Sequence, residues 1–469
     1  MLFLADAAAA VPAAVKPVLP MIVLGTVMTI TYIAIAFDWL NKSVAALLGA
    51  LLSVAIALGF GVFKDEAGHS AYDKAVHDII GHDIGVIGVI VGTSVLVEIV
   101  GRSGLFHFIA IKIVKLTQGD PRYLLMAISA ATGLFVTFLT IAPGTLIMVT
   151  LALVVTKELN LNPRPYVLCV ALCANSGALV TFASGICTLM LGTAGNLAYA
   201  DFFRVTTPFA LISGVIAWYI VSWFYKDSLV STISGAEREA PVAAFHEWAL
   251  DKDRRFFWRC AGILGATIIG FATARSIGIG LDFVAFAGGT IALLASGIYP
   301  DEAIKKVNWS LILFFIGLFV MIGSVQESGL LDWQARQMVA LSGGSQLVTM
   351  IFIAIFVMVL SGVMDNIPVA ATLIPIVRSL EAQGIAAEPL WWTLIITSNL
   401  GGNSTPIGSV SSVIALNALE KERNIKIGWG EFLKVGCTVL FIQGILALAY
   451  LTMFYMLNLF PHSAVGAAK

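Results

Sequence analysis

The stretch Thr397-Ser398-Asn399-Leu400-Gly401-Gly402-Asn403-Ser404-Thr405-Pro406-Ile407-Gly408-Ser409 lies inside a run of the chain that carries no Asp, Glu, Lys or Arg. Three glycines, a proline and seven polar side chains argue against a continuous helix there. Unwinding frees backbone N–H and C=O groups, and the new half-helix N-terminus carries partial positive charge. Asn, Ser and Thr side chains can complete a hydrogen-bonding cage for a small polar solute. The alternative is a kinked structural helix with small packing residues.

The surroundings set the medium. The chain of 469 residues is 59% hydrophobic and only 12% charged, with a net charge of -1. A soluble protein carries about 25% charge. Residues 17–37, 43–63, 205–225 and 307–326 contain no charged side chain, and a helix needs roughly 20 apolar residues to cross a bilayer. The chain is therefore expected to be an all-α polytopic membrane protein. Near-neutral charge gives no reason to expect nucleic acid as a partner, whereas membrane lipid is one.

Ten spans fit the hydropathy: 17–37, 43–63, 83–101, 166–198, 203–225, 257–275, 281–299, 308–326, 389–417 and 435–459. Two further segments, 123–156 and 337–377, are too long for one crossing. Each is interrupted by a proline, in Thr140-Ile141-Ala142-Pro143-Gly144 and Asp365-Asn366-Ile367-Pro368. Both are expected to be re-entrant hairpins, because irregular backbone survives in a membrane only under protein or beside water. With this count Lys42, Arg102, Arg164, Arg254, Lys305 and Lys421 fall on one side, which the positive-inside rule makes cytoplasmic. Both termini and the His-containing loop 64–82 then lie outside. Val100–Leu116 and Glu327–Ala340 read as interfacial helices.

Landmarks recur at an offset of about 225 residues. Arg102-Ser103-Gly104-Leu105 matches Glu327-Ser328-Gly329-Leu330, and Thr140 to Pro143 matches Asp365 to Pro368. Asn175-Ser176-Gly177-Ala178, followed by Thr181, matches Asn399-Leu400-Gly401-Gly402, followed by Thr405. Five spans per half require opposite orientations, the inverted-repeat plan of secondary transporters with a site near the midplane. The expected division is a first repeat over 1–226, a cytoplasmic linker over 227–256 and a second repeat over 257–469.

Asp365 sits at the second predicted tip, where ionisation without a partner is costly. A buried carboxylate can carry a coupled proton; it can also simply cap a helix. Asn366 beside it is a candidate ligand to the solute, and the repeat mate of Asp365 is the uncharged Thr140. Glu98 lies four residues before Arg102 and reads as its ion-pair partner. His69, His77, His82 and Asp83 have irregular spacing for a metal site, and none is expected. Cys169, Cys173 and Cys187 suit a thiophilic substrate or serve as small packing residues. No nucleophile–base pair, cofactor motif or G-x-x-x-x-G-K-[ST] loop is present, so no catalytic residue is expected. Active transport would then draw on an ion gradient or on a separate ATPase subunit.

The segment Leu360-Ser361-Gly362-Val363-Met364-Asp365-Asn366-Ile367-Pro368, followed by Asn399 through Ser409, resembles the ion transporter superfamily. That group includes arsenite/antimonite efflux permeases, NhaD-type sodium/proton antiporters and carriers of dicarboxylates, sulfate or silicic acid. The resemblance covers nearly the whole chain. It implies a scaffold-plus-transport-domain fold, often a homodimer, with substrate between two hairpin tips and two unwound helices. On that pattern Asp365, Asn366, Asn399, Gly401, Gly402, Asn403, Thr405 and Ser409 fall on the second-half site. Asn175, Ser176, Gly177 and Thr181 fall on the first, with Thr140 at its tip. Thr405 to Ser409 is similar to the arsenite branch; Asp-Asn after small residues is similar to the antiporters. Thr140-Ile141 stands where an acid or Asn is usual, which weakens a sodium site. The leading expectation is proton-coupled efflux of arsenite or antimonite across the inner membrane, with Asp365 carrying the proton. The alternatives are sodium/proton antiport and sodium-coupled uptake of an anion such as a dicarboxylate or sulfate.

Overall fold

A computed structural model describes residues 17–37, 39–63, 72–181, 184–229, 254–305 and 307–461, with the side chains of 36, 72–84, 113–114 and 275–276 left aside. Every regular element among them is helical. The first half comprises α1 (Val18–Ala36), α2 (Lys42–Gly59), α3 (Tyr72–Arg102), α4 (Leu105–Leu116), α5 (Pro121–Leu139), α6 (Ile141–Glu158), α7 (Arg164–Gly177), α8 (Ile186–Ala194), α9 (Tyr199–Val205) and α10 (Thr207–Phe224). The second comprises α11 (Arg254–Ile277), α12 (Leu281–Ser296), α13 (Pro300–Ile304), α14 (Trp309–Glu327), α15 (Leu330–Ser342), α16 (Gln346–Val363), α17 (Asn366–Ala382), α18 (Ala387–Gly401), α19 (Val410–Arg423) and α20 (Trp429–Met456).

Local chemistry starts many of these helices. The side chains of Asn41, Asp120, Asn308, Ser345 and Ser409 each accept a backbone N–H of the turn they cap. Ten helices among the described residues are long and apolar enough to cross a membrane. They are not the ten expected. Helices α5, α6 and α16, taken as hairpin arms, reach spanning length, whereas 166–198 and 389–417 are each divided into two short helices, 281–299 shrinks to the 16-residue α12, and all three drop out. The predicted hairpin 337–377 is also displaced. Gly343 and Gly344, both at positive φ, end α15 there, and the broken pair begins at Gln346. Residues 72–82, expected as loop, continue α3 as helix. The rest of that loop, both chain ends and most of the linker lie outside the described residues.

Two close crossings form the frame. Gly92 of α3 lies against the backbone of α12, where an added Cβ would sit 2.4 Å from Ala285 C. Gly317 of α14 meets α2 likewise, 2.6 Å from Ala46 C. Each crossing joins one helix from each half. The hydroxyls of Ser43 and Ser310 are 3.0 Å apart, and Gly49 lies against Met321, so α2 and α14 run in the same direction. Elsewhere α8 packs on α17 and α18, while α19 packs on α6 and α7. Small residues permit these approaches, which is how helices gain van der Waals contact in lipid.

Candidate functional site

Residues 178–185 separate α7 from α8, and 402–409 separate α18 from α19. Asn175, Ser176, Gly177, Asn399 and Gly401 therefore occupy the last helical turns before the breaks rather than the breaks themselves. Gly177 packs on Gly133 of α5, and Gly401 packs on Met358 and Ser361 of α16. Thr181 donates to Thr137 O at 3.3 Å and Thr405 to Gly362 O at 2.6 Å. Each break is thus tied to the helix that leads into the neighbouring tip.

The predicted polar set divides into separate clusters. In the first, Asn175 Nδ2 donates to Asn403 Oδ1 at 2.8 Å and Asn403 Nδ2 to Gln443 Oε1 at 2.9 Å. Gln443 Nε2 donates to Ser213 O at 2.9 Å, and Ser213 Oγ lies 2.8 Å from Ser176 Oγ. Ser411 Oγ bonds Ala171 O at 2.8 Å and Ser409 Oγ at 2.8 Å. All these side chains are buried. This network joins the two broken helices to each other and to α10 and α20. Gly402 closes against Gly408 O and Ser409; a Cβ added there would lie 2.9 Å from each and 3.5 Å from Asn175 Nδ2. Gln443 and Ser213 escaped the sequence reading. Gln443 left one trace, an amide in an apolar span, which demands a partner there. We expect Gln443→Leu to strand the Asn403 amide at about 1–3 kcal/mol, read as a lower melting temperature in detergent.

The second cluster surrounds the α16–α17 joint. Asp365 caps α17, its Oδ1 lying 3.5 Å from Ile367 N. Its Oδ2 is 2.9 Å from Lys42 Nζ at the start of α2. Asn366 Nδ2 donates to Asn399 Oδ1 at 3.3 Å, and Asn399 Nδ2 lies 3.5 Å from Thr188 Oγ1. Cys187 Sγ is 3.2 Å from Ser398 Oγ. Lys42 escaped the sequence reading because nothing local marks it as the partner of an acid 323 positions away.

The third feature is a cavity of about 430 Å³ at the α5–α6 joint, within the range of small-molecule sites. Thr140, Ala142, Pro143, Gly185 and Ile186 line it, and so do Thr93 and Ser94 of α3. Thr140 holds φ 68° and ψ 170°, a region glycine normally occupies; a β-branched residue there costs about 1–3 kcal/mol. Glu98 and Arg102 also line the cavity. Arg102 binds Glu98 at 2.8 Å, as the spacing predicts, and Glu302 at 3.1 Å. The first turn of α8 connects the features, with Ile186 lining the cavity and Thr188 touching Asn399. Among the described residues no group of three His, Cys, Asp or Glu is placed to hold a metal; His69 lies outside them, as do the side chains of His77, His82 and Asp83.

The CitMHS family, described as citrate transporters, matches residues 32–397. The 46 kDa membrane protein of Mycobacterium leprae is 26% identical over 92% of this chain and 98% of its own. An uncharacterised transporter of Mycobacterium tuberculosis is 27% identical over the same shares. The arsenical pump membrane protein of Escherichia coli is 21% identical over 89% of this chain and 95% of its own. In fold the chain is similar to the Alcanivorax borkumensis YdaH transporter, with a TM-score of 0.62 at 13% identity, covering 90% of this chain and all of that one. A helical multi-pass protein with ten candidate spans among its described residues and this match over most of its length belongs to the CitMHS family of secondary transporters and is not an enzyme.

Proposed function

We propose that this chain exports a small uncharged oxyacid, arsenite or antimonite, across the inner membrane in exchange for protons. The observation that carries this is the chemistry at the tips and breaks: amides, hydroxyls, one thiol and a single buried acid. The cations near them are engaged, Lys42 by Asp365 and Arg102 by two carboxylates. An uncharged solute needs only the hydrogen bonds that Asn, Ser and Thr supply. A multiply charged anion would have to pull a cation from its carboxylate. The likeness to an arsenical pump protein agrees with this reading.

The substrate is assigned to Asn366, Asn399, Thr140 and the cavity-side face of the breaks. Asn175, Asn403 and Ser409 are assigned to holding the breaks together. We further read the two halves as inverted repeats, 1–226 and 257–469, joined by the linker 227–256. The α5–α6 and α16–α17 pairs are read as re-entrant hairpins, and both termini lie outside. The packing of α2 on α14 and of α3 on α12 supports that arrangement, and the chain works from an ion gradient without an ATPase subunit. A second reading, export or uptake of citrate, is favoured by the family's description.

Purified protein in liposomes under an imposed pH gradient tests these readings side by side. Arsenite flux that follows the gradient, with no citrate flux and no sodium-driven proton movement, is expected. Citrate flux without arsenite flux would overturn the assignment in favour of the second reading. Sodium-dependent proton movement alone would make the protein an antiporter.

A further inference from the structure

Lys42 belongs to the frame: it opens α2, which is held against α14 at the Gly317 crossing. Asp365 belongs to the α16–α17 joint. The 2.9 Å bond between them therefore ties the frame to that tip. The carboxylate is 8% exposed and its contact with Ile367 N is long, so Lys42 supplies most of what balances its charge. Lys42 itself is 46% exposed, and water can take over its ammonium when the bond opens. That makes the contact breakable.

Other titratable side chains around α17 do not take this place. The elements packed on it bring Asp332 and Arg336 of α15, Glu388 of α18, Glu327 of α14 and Cys187 of α8, and α16 carries none. Glu388 lies at the opposite end of α18 from Asn399, and Cys187 bonds Ser398. Tyr32 of α1 bonds Thr372 of α17. Along that same seam runs an apolar hollow of about 630 Å³, lined by α1, α15, α16 and α17. Interlocked side chains that would hold α1 to the tip are thus sparse there, and the charged contact has correspondingly more weight. At the other tip Thr140 replaces the acid, so no such pair can form.

We propose that Lys42 and Asp365 form a latch between the frame and the α16–α17 tip, closed while the carboxylate is ionised and opened when it takes a proton. Lys42 is then a positioning residue that converts proton binding into freedom of the tip to move. This rests on the reading of Asp365 as the proton site.

Tyr32→Cys with Thr372→Cys, in a Cys437→Ser background, places a reporter pair across the seam; the four other cysteines are buried. In reconstituted full-length protein, the rate of linking by a short bifunctional thiol reagent is divided by the reagent's rate with free cysteine in the same buffer, which removes the pH dependence of thiolate formation. So normalised, the pair should link about tenfold faster in alkaline than in acid buffer, and the rates of the variants are normalised alike. Adding Lys42→Gln should make linking slow in both buffers, and Lys42→Arg should restore the difference. Folded Lys42→Gln protein, eluting as the parent does, that keeps the pH difference overturns the latch. Flux separates the two claims. If Asp365→Asn loses pH-driven transport while Lys42→Gln links as the parent does, the proton site stands and the latch falls. If Asp365→Asn keeps pH-driven transport, the proton site falls first.

Discussion

Asp365→Asn is expected to reduce pH-driven flux to the level of empty liposomes while leaving folded, membrane-embedded protein. The amide keeps an oxygen for the N-cap of α17 and nearly the same volume, so the α16–α17 joint retains its shape. It cannot gain or lose a proton, and no second acid stands at the matching position, where the chain has Thr140. Lys42 loses its carboxylate but is half-exposed and remains hydrated. Asp365→Glu restores a titratable group on a longer arm and should return part of the flux. The measurement is solute uptake against an imposed pH gradient, with a melting curve on the same preparation. Flux at the parental rate in Asp365→Asn would remove the residue from coupling.

Gly92→Val should abolish folding rather than transport alone. A Cβ at this position would sit 2.4 Å from Ala285 C and 2.6 Å from Phe286 N, backbone atoms that no rotamer change can withdraw. Helices α3 and α12 would have to separate along their whole contact, and the lost close packing is what associates helices in lipid. Overpacking typically costs about 1–3 kcal/mol, and an obligatory backbone clash exceeds that. Gly262→Ala in α11 is the control: no atom lies within 4 Å of the new Cβ, and alanine favours helix over glycine by about 1 kcal/mol. Monodisperse yield after detergent extraction should collapse for the first variant and hold for the second. Parental yield of Gly92→Val would show that the crossing is not as close as described.

The breaks were legible because glycine, proline and amides in an uncharged run violate the rules for a buried helix. The same kinds of violation recur about 225 residues apart, which is what the proposed repeat rests on. Span boundaries were less so. Hydropathy merged α15 with α16, and only Gly343-Gly344 marks the joint between the short α15 and the spanning-length α16. The polar residues were found, but not their separation into a buried network and a tip cluster, since type and spacing do not say which face of a helix a side chain occupies. Lys42, Ser213 and Gln443 were missed for a related reason. Their partners lie 230 or more positions away in two cases and 40 in another, and an ordinary lysine at a membrane edge has no local mark of such a role.

The crossings at Gly92 and Gly317 carry a consequence for how such a chain could have arisen. Neither half owns its central helix pair: α2 is completed by α14, and α3 by α12. If the two halves are the inverted repeats proposed above, a half-length ancestor could not bury these surfaces alone and would have needed a second copy inserted the other way up. Such a gene would have to be indifferent to its own direction of insertion, which requires nearly balanced flanking charge. On that same reading, fusion through the linker would free the copies from that balance and let one of them alone acquire an acid at its tip.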